Sequence, residues 1–135
     1  MTRVSRIPLR GKTYSQITQI FWEVISELAN EEAAEEFLNV FLSKAEKTML
    51  AKRLAVAVML LAGLGAVEIS NSLKVSTGTI RDVNYKLADI RFKQIIEKFT
   101  EKFRSEKRGL SWLDAVLGSK SDMKARAKLL SGDFD

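Results

Sequence analysis

The stretch AVEISNSLKVSTGTIRDVNYKL, Ala66 to Leu87, decides the fold. Its apolar spacing predicts a short helix from Ala66 to Leu73, a turn, and a longer helix from about Thr77. A helix-turn-helix unit crosses two short helices steeply around a few apolar contacts. That crossing asks for apolar residues at the fourth, eighth, tenth, fifteenth and eighteenth places, and a small residue at the fifth, where the helices touch. Counted from Ala66, these places hold Ile69, Leu73, Val75, Ile80 and Val83, with Ser70 as the small residue, so every place fits. One place departs: the ninth, where a glycine would supply positive φ without strain, is Lys74.

If Ile80, Val83 and Leu87 hold the second helix to the body, then Thr77, Gly78, Arg81, Asp82 and Tyr85 face outward, with Thr79 and Lys86 at the edges. Ser76 can cap this helix, leaving its first turn free to approach a phosphate. Small residues at Thr77 and Gly78 let the tip enter a DNA major groove. Thr can touch bases or a thymine methyl, Arg can pair bidentately with guanine, and Asp82 can accept from a cytosine amine or orient its neighbours. The base-reading candidates are therefore Ser76, Thr77, Gly78, Thr79, Arg81, Asp82 and Tyr85, and the phosphate candidates are Lys52, Arg53, Lys74 and Lys86. Plainer readings stand beside these. Ser76 is most often only a cap, Arg81 alone a solvated side chain, and Tyr85 a contact to a partner chain. Lys52 and Arg53 could equally pair with Glu46 or Asp89.

Composition sets the frame around this stretch. The 135 residues suit one domain, with 46% hydrophobic and 29% charged residues, an ordinary globular balance. There is no cysteine and no histidine. No disulfide framework is available, and transition-metal sites and Cys nucleophiles are nearly excluded. No metal or cofactor is implied. The formal charge of +5 is unevenly spread: Arg3, Arg6, Arg10 and Lys12 precede any acid, whereas Glu23, Glu27, Glu31, Glu32, Glu35 and Glu36 form an all-acidic run. This polarity points to one surface for an anion such as nucleic acid. Leu54 to Val67 is the most apolar run, too short at 14 residues for a membrane span, which needs about 20. No signal peptide is visible, and the expected compartment is the cytoplasm.

Outward from the central stretch, residues 1–12 read as a flexible basic arm. A helical domain follows over 13–109, with 66–87 as its reading head and 110–135 as a C-terminal extension of short or frayed helices. Thr13 with Gln16 suggests a capping box for the first helix, whose stripe is Ile17, Ile20, Phe21, Val24 and Leu28. Asn30 caps the next helix, with Glu31 and Glu32 at its positive end. Ser43 and Glu46 form a capping box for a helix running to about Ala62 and stopped by Gly63 and Gly65. Its expected core face is Met49, Leu50, Leu54, Ala57, Leu60 and Leu61, and Val56, Val58 and Met59 leave little polar face near its end. The helix from Thr77 carries Ile80, Val83, Leu87 and Ile90. Its stripe then shifts to Ile95, Ile96, Phe99 and Phe103, which places a bend near Arg91. Gly109 ends the element, and Trp112 and Leu113 are expected to dock onto the core.

Arg53 to Leu87 resembles the Trp-repressor-like family of small bacterial DNA-binding proteins. It is most similar to the branch whose recognition helix reads Ser-Thr-Ala-Thr-Ile-Ser-Arg-Val-Asn, here Ser76-Thr77-Gly78-Thr79-Ile80-Arg81-Asp82-Val83-Asn84. The resemblance extends over about residues 13 to 100. It implies an all-α, Trp-repressor-like helical bundle with a helix-turn-helix, dimerisation by interlocked N-terminal helices, and a role in transcriptional control. Tryptophan-sensing members hold the amino acid between two arginines beside a glycine. Arg53 matches the first arginine, but Asp82 stands at the second and Val83 at the glycine, while Ser43 matches a pocket threonine and is explained by its capping box. The loop before the first reading-head helix is also one residue shorter.

The expectation is a homodimeric regulator of double-stranded DNA, acting as a repressor, independent of tryptophan and with any other effector unknown. The alternative is a protein–protein interaction module that keeps the fold without specific DNA binding. An enzyme has little support, since no Ser–His pair, metal set or hydrolase-type carboxylate pair is present.

Overall fold

The computed structural model describes residues 6–105, with side chains to residue 102. Among these residues it holds six helices and no strand: α1 (Gly11–Ser26), α2 (Glu31–Phe41), α3 (Lys44–Leu61), α4 (Ala66–Leu73), α5 (Thr77–Lys86) and α6 (Ile90–Ser105). The chain is thus all-α. It divides between Leu50 and Ala51 into two compact units. Residues 1–5, and with them most of the expected basic arm's N-terminal half, lie outside the described residues. So do Gly109, Trp112, Leu113 and the extension.

In the first unit, α1 begins two residues before the expected Thr13 cap. Arg10 sits at its N-cap with no side-chain bond, and the Tyr14 N–H already reaches the Arg10 carbonyl at 2.9 Å. Water can serve the exposed first-turn N–H groups, so the helix winds before a capping hydroxyl is met. The other caps form as their sequences require. Asn30 Oδ1 accepts from the Ala33 N–H at 2.9 Å. The Ser43–Glu46 box is reciprocal: the Ser43 N–H donates to Glu46 Oε1 at 2.9 Å, and the Glu46 N–H to Ser43 Oγ at 3.1 Å. Phe21, Phe37 and Phe41 stack in a row, with centroids 6.2 Å apart for Phe21–Phe41 and 5.1 Å for Phe37–Phe41. Yet no residue of α1 or α2 is buried, and Ile17, Ile20, Phe21, Trp22, Val40 and Phe41 stay exposed.

The second unit closes a core of its own. Val56, Ala57, Met59, Leu61, Ala62 and Leu64 meet Ile69, Val75, Ile80, Val83 and Ile96. This corrects the expected inner face of α3. Leu50 and Leu54 are exposed, while Val56 and Met59 are wholly buried. Toward its end α3 is apolar on every side, so its pattern selects no face, and the following helices settle the matter by covering the Val56–Met59 side. The helix stops in a Schellman motif: Gly63 adopts φ 87°, its N–H bonds the Leu60 carbonyl at 3.0 Å, and the Leu64 N–H bonds the Met59 carbonyl at 3.2 Å.

α4 spans the expected Ala66–Leu73, and α5 starts at the expected Thr77. Ile69, Val75, Ile80 and Val83 are buried and Leu73 packs against them. Lys74 keeps the left-handed geometry expected of a glycine, with φ 56° and ψ 50°. A Cβ there costs roughly 1–2 kcal/mol, which the contacts around the turn must outweigh.

The helix from Thr77 does not bend near Arg91; it ends at Lys86 and a new helix starts at Ile90. Asp89 makes the break. Its Oδ1 accepts the N–H groups of Arg91 at 2.9 Å and Phe92 at 3.4 Å. The new start resets the inner face to Phe92, Ile96 and Thr100, spaced by four, and leaves Ile90, Ile95 and Phe99 exposed. Thr100 is buried and its hydroxyl donates to the Ile96 carbonyl at 2.8 Å.

The helix crossing turns on Ile69, which is 0% exposed, whereas Val67 two residues away is 71% exposed. Ile69→Ala should therefore cost about 2–5 kcal/mol of stability and Val67→Ala within about 0.5 kcal/mol, measured by urea denaturation.

Candidate nucleic-acid interface

The candidate surface is built on α5. Ser76 leaves the turn in extended geometry, φ −71° and ψ 153°, and its Oγ accepts the Thr79 N–H at 3.1 Å. The Ser76 and Thr79 hydroxyls also bond each other at 3.0 Å. Both are thus occupied in closing the first turn, and Thr79 is partly buried. Thr77 and Gly78 form the bare tip of the helix, both exposed. Ile80 and Val83 lie in the core, so Arg81, Asp82 and Tyr85 project outward, Tyr85 being 82% exposed. The inward pair thus sets the outward face, as the sequence pattern implies.

The structure brings one group of candidates together. Arg53 from α3 and Arg81, Asp82, Tyr85 and Lys86 from α5 line an open concavity of about 250 Å³. Three cations face one carboxylate there, so the surface favours an anion. Among the described residues Asp82 makes no ion pair; Lys93–Glu97 on α6, at 3.9 Å, is of the ordinary i,i+4 kind. Lys86 sits in the last turn of α5, where the helix dipole favours a cation.

Lys52 and Lys74 lie elsewhere. Lys52 Nζ donates to the Lys74 carbonyl at 3.3 Å. Asp89 is engaged as the α6 cap. Sequence reasoning missed this bond, and it also read Ser70 only as a small contact residue. Ser70 Oγ donates to the Val75 carbonyl at 2.7 Å. A hydroxyl where alanine would fit was the available signal for Ser70. Nothing in the sequence signals Lys52, because 22 residues separate the partners.

Two short helices packed across a three-residue turn, with small residues at the exposed tip of the second, define the class of all-α helix-turn-helix chains. Residues 11–100 match the model of the Trp repressor protein family, and the chain belongs to that family. The family is one of DNA-binding transcriptional regulators rather than enzymes. No curated protein and no solved structure matches the chain. No described helix is long and apolar enough to cross a membrane.

Gly78 is helical, and a Cβ there would meet only Ser76 Oγ, at 3.8 Å. Gly78→Ala should therefore raise stability by about 0.5–1 kcal/mol, seen as a higher urea midpoint with an unchanged slope. A glycine held for local packing would give the opposite sign.

Proposed function

We propose that the protein is a dimeric, sequence-specific repressor that reads the major groove with α5 and does not depend on tryptophan. The observation that carries this reading is the two-sided character of α5: Ile80 and Val83 are locked in the core, while Thr77, Gly78, Arg81 and Tyr85 are presented bare on the other side. Thr77, Gly78 and Arg81 face base edges, and Asp82 and Tyr85 flank them. Ser76 and Thr79 contribute chiefly by shaping the tip, with the Thr79 side chain at its edge. Arg53, Lys74 and Lys86 attract the phosphate backbone, which supplies most of the salt-dependent affinity. Lys52 stands apart, with its ammonium already at the turn.

Two further observations support the finer parts of the reading. Where tryptophan-sensing members carry a glycine, Val83 is buried at 2% exposure, and Asp82 stands in place of the second arginine. The opposite charge leaves one cationic wall for a corepressor carboxylate instead of two. The uncovered apolar side chains of α1 and α2 support a dimer, since a monomer rarely leaves so contiguous an apolar surface in water. A dimer binds two half-sites roughly 34 Å apart and represses by occluding the promoter between them.

Arg81→Ala, titrated against a site selected from random DNA, should lose about 1–3 kcal/mol on that site and little on random DNA. Saturating L-tryptophan should leave both isotherms unchanged. An Arg81→Ala protein that binds the selected site as tightly as the parent removes α5 as the reading element and turns the assignment to the interaction module. Sedimentation at micromolar concentration should give a dimer; a well-folded monomer there would refute the dimer.

A further inference from the structure

We propose that Lys52 is a positioning residue: by donating to the Lys74 carbonyl it holds the left-handed turn that sets the angle of α5, and it does so without touching DNA. Lys74 is the one non-glycine residue with positive φ among the described residues. Its carbonyl lies in the turn, past the end of α4 and before the start of α5, where neither helix supplies a donor in register. Lys52 supplies that donor from α3, at 3.3 Å. The next carbonyl, Val75, receives the Ser70 hydroxyl from α4 at 2.7 Å. Two successive turn carbonyls are therefore tied by side chains from two different helices. The Ser70 bond is local, spanning five residues, whereas the Lys52 bond spans 22 and anchors the turn to α3.

The strain at Lys74 explains why the tie matters. A residue with a Cβ leaves the left-handed region readily once nothing holds it there, whereas glycine would remain at little cost. Release of the turn would tilt α5 and misplace Thr77 and Arg81, and a binding constellation tolerates only about 0.5 Å or 10–20° of misplacement. Lys52 is partly buried and does not line the concavity that holds Arg53, Arg81 and Lys86. The second half of this inference rests on α5 being the reading element; the first half does not.

The test uses the full chain with Lys52→Met, Lys74→Gly and the double variant. Lys52→Met keeps the apolar stem and removes the donor. Without DNA, backbone NMR shifts and the amide–Hα coupling of residue 74 report its φ. They should leave left-handed values in Lys52→Met and keep them in the double variant. With DNA, Lys52→Met should bind the selected site about tenfold more weakly, leave random DNA unchanged and keep the salt slope. The double variant should bind the selected site as tightly as Lys74→Gly alone, both having lost the Lys74 phosphate contact on every sequence. An unchanged φ at residue 74 in Lys52→Met overturns the tie itself. Equal losses on both DNAs, with a salt slope lower by about one unit, would instead make Lys52 a phosphate contact. If the parent chain binds no DNA, the NMR arm still decides the tie while the reading of α5 fails.

Discussion

The second unit depends on one constraint: the chain must reverse between α4 and α5 within Lys74, Val75 and Ser76. Each of the three residues answers a different demand. Lys74 turns left-handed, Val75 drops into the core, and Ser76 straightens the chain and caps the next helix. Given those assignments, Ile69, Ile80 and Val83 converge, and the opposite side of α5 has nowhere to point but outward. The exposed tip is thus a by-product of burial. Its chemistry can vary freely as long as the inward residues stay apolar.

The two units differ in how they satisfy their apolar residues. The second buries Met59, Ile69 and Val56 completely and leaves no buried side-chain polar atom without a partner among the described residues. In the first, the phenyl rings of Phe21, Phe37 and Phe41 stack on one another, yet Phe37 is only half-buried and Phe21 and Phe41 are exposed. Stacking recovers part of the cost of exposing aromatic surface, about 0.5–1.5 kcal/mol per pair, far less than full burial would. The second unit therefore closes a core of its own, whereas α1 and α2 bury no residue.

Short-range grammar was legible in the sequence. The caps at Asn30, Ser43 and Ser76 lie within three residues of their partners and form as written. The spacing from Ile69 to Val83 specified the crossing because each place in it has one geometrical role. The face of α3 was not legible, since a helix apolar all round gives no preferred side until the other elements cover one. The break at Asp89 was hidden for a different reason. Ile80, Val83, Leu87 and Ile90 keep a helical rhythm straight through it, and the aspartate cap overrides the rhythm. Among the surface candidates, the grouping of Arg81, Asp82, Tyr85 and Lys86 follows from helical spacing alone. The arrival of Arg53 beside them, and of Lys52 at the turn, needed the tertiary structure.

The Schellman closure after α3 also marks a seam in the molecule. Gly63 ends the helix, and Leu64 plugs the core before α4 has begun. Gly65 then stands as the N-cap of α4 with open space around its α-carbon. A segment exchanged with a relative can therefore be joined at Gly65 without disturbing either the helix stop or the plug. Recombination that cuts one residue earlier would separate Leu64 from Met59 and leave a gap in the hydrophobic interior. A junction at Gly65 thus keeps α3, its stop and the Leu64 plug in one piece.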